Sequence, residues 1–173
     1  MTVYYDRCYL DHNSTTALKT EVLEAMLPFM TNQHGNATSR HSFGRTARAA
    51  VEHAREQVAA AVGAYANQIV FTASGTEANN FAVHGIASSL EPTQILTSAI
   101  EHPCVSRPAL AMQAASSQAK VLQARSIKVD ENCNIDLQHL QNLLQTPTSL
   151  VSVMLANNET GVIQNIEKVA ELA

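Results

Sequence analysis

No stretch of this 173-residue sequence approaches the about 18 consecutive apolar positions that a membrane-spanning helix needs. The N-terminus, Met1-Thr2-Val3-Tyr4-Tyr5-Asp6-Arg7, has neither the basic head nor the apolar run of a secretory signal. Cysteine is scarce. Cys8, Cys104 and Cys133 are odd in number and far apart, which excludes a disulfide framework and points to free thiols in a reducing, cytoplasmic setting. Without a secretory signal, the glycosylation-like triplets at Asn13, Asn36 and Asn158 are chance matches. Charge is low as well: 11 Lys+Arg against 15 Asp+Glu leave −4. A mildly acidic chain does not bind nucleic acid by bulk electrostatics. A 46% hydrophobic content excludes general disorder, and there is no internal repeat or low-complexity segment.

What is present is an alternation of short apolar runs with helical periodicities. The length suits about one domain. Strands are expected at Gln68–Thr72, Gln94–Ser98, Lys120–Ala124 and Leu150–Ala156, the last so apolar that it reads as buried on both faces. Helices are expected at Thr76–Ser89, at Cys104–Ala115 with Pro108 in its first turn, and at Leu137–Gln145 capped by Asp136. The order predicts an α/β domain of three layers, a mostly parallel sheet with helices on both faces and right-handed crossovers. Ahead of it stand an extended arm at 1–15, a helix near Thr20–Met30, a polar loop at 31–43 and a long helix from Gly44 to Val62. At the other end, Asn165 can cap a helix whose apolar stripe is Ile166, Val169, Ala170 and Ala173. No Gly, Asn or Pro stops that stripe, so the natural chain is expected to continue.

Four polar segments can carry chemistry. Ser74-Gly75-Thr76-Glu77 opens a helix, where unpaired amides and the helix dipole favour an anion. On local sequence alone it reads first as a capping box of Ser74 with Glu77. Glu101-His102-Pro103-Cys104 follows a strand, and its imidazole can stack on a planar ring or move a proton. It also reads as an ordinary helix-start loop. Asn157-Asn158-Glu159-Thr160-Gly161 again follows a strand; it offers amide donors, or a plain polar turn. The loop Gly35–His41 is rich in donors that suit an anionic group. No His or Cys spacing indicates a metal site. Arg40, Arg45, Arg48 and Arg55 are interrupted by Glu52 and Glu56 and read as a solvated helix face.

Taken in order, these segments resemble the N-terminal part of a cysteine desulfurase, in the class V branch of the pyridoxal-phosphate enzymes. The resemblance spans nearly the whole chain. It runs through Tyr9-Leu-Asp-His-Asn-Ser-Thr-Thr16, Gly35-Asn-Ala-Thr-Ser39, Phe71-Thr-Ala-Ser-Gly-Thr-Glu77, Glu101-His102 and Asn157-Asn-Glu-Thr-Gly161. Ser14 stands where the family usually has alanine.

The resemblance implies the transferase fold of such enzymes, with residues 16–173 as the first part of the cofactor-binding large domain. The rest of that domain and a small C-terminal domain would be absent. It implies that Gly75 and Thr76 hold the phosphate of pyridoxal 5'-phosphate. His102 would stack on the ring and take part in proton transfer, Asn158 would bond the ring hydroxyl oxygen, and Asn36 would lie on the substrate side. It further implies L-cysteine as substrate, a sulfur-acceptor protein, iron–sulfur cluster assembly among the uses of the sulfur, and a homodimer. No nucleic-acid or membrane partner is expected, from the acidic charge balance and the lack of a long apolar run.

The anchoring lysine, the acid that pairs with the ring nitrogen, the sulfur-accepting cysteine and the arginine that grips the substrate carboxylate have no match here. Lys19, Lys120, Lys128 and Lys168 fall outside the family's pattern, as do the three cysteines. These 173 residues alone are therefore expected to be inactive. The alternatives are another class V enzyme, such as a selenocysteine lyase, an aminotransferase or an epimerase, or a non-catalytic truncated remnant.

Overall fold

The computed structural model describes residues 8–89, 94–115 and 122–173. None of the helices in these stretches is long and apolar enough to cross a membrane. The chain divides after Phe71 into two units.

In the first unit, the 3.6-residue periodicities fold as α1 (Thr20–Thr31) and α2 (Ser42–Ala61), close to their expected bounds. Residues 1–7 of the expected arm lie outside the described residues. In the remainder, the Tyr9 hydroxyl donates to the carbonyls of Asp11 and Thr15, both at 2.9 Å, and folds the segment into a turn. The strand expected at Gln68–Thr72 does not form. Ala66–Gln68 is a short 3-10 turn, and Ile69 continues in extended conformation at φ −97° and ψ 127°. A strand is defined by the neighbour it bonds, and no strand pairs with this segment among the described residues. The Ile69 carbonyl is taken instead by Arg55 Nη1 at 2.6 Å, with the guanidinium 5.0 Å from the Phe71 ring centre.

The second unit contains α3 (Gly75–Ser89), β1 (Gln94–Ser98), α4 (Pro103–Ala115), β2 (Gln123–Ile127), α5 (Leu137–Leu143), β3 (Leu150–Ser152) and α6 (Ile166–Leu172). The strands form a parallel sheet in the order β2-β1-β3. Successive strand residues point to opposite faces, and this places the core on both sides of β1. Ile95 packs with Val83 of α3, Ala109 of α4 and Leu122, while Leu96 packs with Ile127, Leu140, Leu143 and Val169 on the α5 and α6 side. Helices thus cover both faces, as the sequence predicts. Each of these two side chains contributes about 1.5–3 kcal/mol by leaving water.

Three expectations need correction. The strand expected at Lys120–Ala124 is β2 at Gln123–Ile127; Lys120 and Val121 lie outside the described residues. Its register is set by the ladder, Gln94 opposite Gln123 through Ser98 opposite Ile127, rather than by where the apolar run begins. The strand expected at Leu150–Ala156 ends at Ser152, and β3 is half-buried. The wholly buried strand is β1, because it is the central one. In α4, Pro103 occupies the first position, where a missing N–H costs nothing, and Pro108 lies inside the helix, buried.

The polar ends behave as the sequence indicates. Asp136 caps α5 by accepting from His139 N at 2.9 Å, and Asn165 caps α6 by accepting from Lys168 N at 3.1 Å. The α6 stripe differs in part: Val169 is buried and Leu172 packs with it, whereas Ala170 and Ala173 are exposed.

Candidate functional site

In the sheet, β2 lies on one side of β1 and β3 on the other. The chain therefore reverses its direction of progress across the sheet between β2 and β3. Loops that leave the carboxyl ends of β1 and β3 diverge at such a point and leave a crevice, the usual ligand position in open α/β sheets. Two of the sequence-predicted segments, Glu101-His102 and Asn157-Asn158, lie on these loops.

His102 immediately precedes α4. Its Nδ1 accepts a hydrogen bond from the Cys104 amide at 3.1 Å, an arrangement that caps the helix. An amide can only donate, so in the neutral ring this bond selects the tautomer with its hydrogen on Nε2. That leaves Nε2 and the ring face for a ligand.

At the start of α3 Ser74 and Glu77 act as helix caps. Ser74 Oγ accepts from Glu77 N at 3.2 Å, and Glu77 Oε2 accepts from Ala73 N at 2.6 Å, a variant of the capping box in which the glutamate reaches one residue beyond the cap. The box uses the amides of Ala73 and Glu77. It leaves the Gly75 and Thr76 amides with no hydrogen-bond partner among the described residues, and a Cβ on Gly75 would meet nothing within 4 Å. The expected strand before this motif is absent, so the helix start alone presents these amides.

Thr76 and His102 share a cavity of about 460 Å³ between α3 and α4, with Asn80, His84, Cys104 and Arg107 also in its lining. That volume suits a small cofactor. Sequence reasoning missed His84 and Arg107. His84 lies eight residues after Thr76, roughly two helical turns, and this spacing was the available signal.

The β3 loop shows a division of labour that the sequence does not reveal. Asn157 is buried: its Oδ1 accepts from Glu159 N at 2.9 Å, Thr160 N at 2.8 Å and Thr160 Oγ1 at 3.2 Å. Its Nδ2 donates to the Ile100 carbonyl at 3.0 Å, tying this loop to the loop that carries His102. Gly161, at φ +75°, closes the turn in a conformation that other residues avoid. Asn158 is exposed on this braced loop and is not among the residues lining the cavity.

Glu101, on the loop after β1, meets Ser152 at the end of β3. Burial pushes its carboxyl above the usual glutamate range. Hydrogen bonds from the Met154 amide, the Ser152 hydroxyl (3.5 Å) and the His102 amide, together with attraction to the His102 ring, pull in the other direction without cancelling the effect. The folded protein therefore binds this proton more tightly than the unfolded chain does. The contribution to stability is fully present below the ordinary glutamate range and is lost as pH rises through the elevated value. Glu101→Gln is expected to flatten this decline, read from urea unfolding across a pH series.

In the first unit, Asn36 is exposed and its Oδ1 accepts from Thr38 N and Thr38 Oγ1, both at 2.9 Å. Arg48 Nε donates to the Ala37 carbonyl at 2.8 Å and holds the same loop to α2. No cluster of three or more potential metal ligands occurs among the described residues.

Residues 8–173 match the aminotransferase class-V family. The chain belongs to that family. Class-V enzymes depend on pyridoxal phosphate in general. Over 167 residues the chain is 40% identical to the cysteine desulfurase IscS of Dictyoglomus turgidum, a match covering 95% of this chain and 41% of that protein. Among solved structures, a NifS-like protein aligns at a TM-score of 0.88 and 33% identity, covering 96% of this chain and 45% of that one. A protein described as SspA in complex with cysteine aligns at 0.84 and 29% identity, covering 95% and 47%. The class-V chain thus spans under half the length of these relatives.

Proposed function

We propose that the full-length protein is a pyridoxal-phosphate-dependent cysteine desulfurase, and that these residues supply part of its cofactor site. The single observation that supports this best is the cavity that Thr76 and His102 share at the start of α3. The open amides of Thr76, which lines it, and of the adjoining Gly75 suit a dianionic phosphate, and the cavity's volume suits the ring. On this reading residues 16–173 belong to the large, cofactor-binding domain, preceded by an arm at 1–15. The anchoring lysine and the sulfur-accepting cysteine belong to parts of the protein outside these residues, and the chain by itself is inactive.

The roles follow from the local chemistry. The Gly75 and Thr76 amides and the Thr76 hydroxyl bind the phosphate, with the α3 dipole favouring its charge. His102 lays its ring on the cofactor and moves protons through Nε2, because Nδ1 is occupied by the Cys104 amide. Asn158 donates its side-chain amide to the ring hydroxyl oxygen, and Asn36 offers Nδ2 to the substrate. When bound, the cofactor supplies an electron sink for reaction at the amino acid. The overall change breaks the carbon–sulfur bond of L-cysteine, delivers the sulfur to a protein thiol as a persulfide, and leaves alanine. The protein works in the cytoplasm as a homodimer that passes sulfur to an acceptor protein, iron–sulfur assembly being one destination.

The full-length protein incubated with L-cysteine should release alanine and acquire a persulfide. A full-length protein that binds no pyridoxal phosphate and releases no alanine overturns the proposal. Thr76→Val removes one hydroxyl that bonds a charged group. It should weaken cofactor binding by about 1.5–3 kcal/mol, or roughly 10–100-fold, in a fluorescence titration with no change in fold.

A further inference from the structure

We propose that the part of the full-length protein following Ala173 packs onto the first unit and fills an apolar groove between α1 and α2. This packing is independent of the reading of the cofactor site.

The groove encloses about 570 Å³. Val22, Met26, Phe29 and Met30 line it from α1, and Ala47 and Val51 line it from α2. Both sets recur at three- and four-residue steps, so each helix turns its apolar stripe to a common space. The two stripes do not close on each other: Met26 and Val51 remain 41% and 39% exposed. Gln33 is the only polar side chain in the lining, and no charged residue takes part. An occupant is therefore apolar on the side it inserts.

The state of α1 says where that occupant comes from. None of its 12 residues is buried, and Pro28 lies inside it, where the ring removes a backbone hydrogen bond. A helix of this length is marginal in water unless packing supports it. At about 100° per residue its large apolar side chains cover roughly half of its circumference. Leu23 and Leu27, outside the lining of the groove, extend this surface beyond it. The cover must therefore be broad, and it must be in place within the folded subunit, before any second molecule arrives. The remaining polypeptide meets both conditions. The matched region is 41% of the Dictyoglomus desulfurase and 45% of the NifS-like protein, so more than half of each lies outside it. Gly35 lines the groove and adjoins Asn36, so the same packing would steady the loop proposed to meet the substrate.

The test uses the full-length protein with Phe29→p-benzoylphenylalanine, which exchanges one aromatic ring for another that captures nearby C–H bonds on irradiation. Mass spectrometry should place the adduct on a peptide beyond residue 173. It should run in a gel band of monomer mass, with a yield that dilution does not change. Adducts confined to residues 8–173 would overturn the proposal. So would a band of doubled mass, which would make the occupant a second copy of the chain. Where this variant gives no adduct, the alkylation rates of Met26→Cys and of Gln138→Cys, an exposed reference position, decide the matter in dilute solution. Met26→Cys should react about tenfold or more slowly, with the difference lost in urea. A smaller difference would overturn the proposal. None of these readouts needs the cofactor, so a failure here is distinct from a failure to release alanine.

Discussion

Asn157→Ala is expected to lower stability by about 2–4 kcal/mol, measured by chemical denaturation, although the residue never touches a ligand in the proposed site. Its side chain is 7% exposed and makes both kinds of bond. The Oδ1 atom gathers the Glu159 and Thr160 amides and the Thr160 hydroxyl, and Nδ2 reaches the Ile100 carbonyl. Each bond is worth about 0.5–1.5 kcal/mol net, and a partner left buried and unmet costs more. Asn157→Asp separates the two halves of this role. It keeps the acceptor for the Glu159 and Thr160 amides but turns an oxygen toward the Ile100 carbonyl, so the turn should survive while the tie between loops is lost. The neighbouring Asn158 is exposed, and Asn158→Ala should cost less stability than Asn157→Ala. Under the proposed function the pair divides: Asn158→Ala acts mainly on cofactor binding, and Asn157→Ala weakens both binding and stability.

That division was not legible in the sequence, where two adjacent asparagines in a polar turn look alike. Which one is buried depends on the Ile100 carbonyl, a partner 57 residues away. The contact of Glu101 with Ser152 was hidden for the same reason, since the two are 51 residues apart and meet only once β1 and β3 pair. Local signals fared better. The capping box at Ser74–Glu77, the caps at Asp136 and Asn165 and the bounds of α2 and α5 depend on neighbours a few residues apart, and the periodicity records them. Strands fall between these cases. β1 was read with its correct ends because its five apolar and β-compatible residues coincide with its ladder. β2 was read three residues early, since its register is chosen by β1 rather than by its own apolar content. Gln68–Thr72 has the composition of a strand, but composition cannot supply a neighbour. For the candidate site, the sequence located Thr76 and His102 separately. Their common cavity follows from the packing of α3 beside α4, which neither segment encodes alone.

Gly44→Ala is expected to cost about 3 kcal/mol, at the upper end of the range for overpacking, because nothing around it can yield cheaply. Gly44 is buried in the first turn of α2, and an added Cβ would overlap the Ser39 carbonyl oxygen and stand 2.7 Å from that of Asn36. Both are backbone atoms, so no rotamer change relieves the overlap; the whole 36–39 turn has to move. That turn is held by Ser39 N on Asn36 O at 2.9 Å and by Arg48 on Ala37 O, and both bonds should loosen. The measurements are an unfolding midpoint and amide exchange at residues 36–39. If Asn36 serves the substrate as proposed, the displaced turn also raises KM for cysteine in the full-length protein while leaving cofactor affinity near its wild-type value. Gly85→Ala is the control. It makes the same chemical change inside α3, where a Cβ meets nothing within 4 Å. There the lower helix propensity of glycine is the term that remains, and alanine should stabilise the protein by about 0.5–1 kcal/mol. A destabilised Gly85→Ala, or a Gly44→Ala as stable as the wild type, would mean that the space around these glycines does not decide the sign.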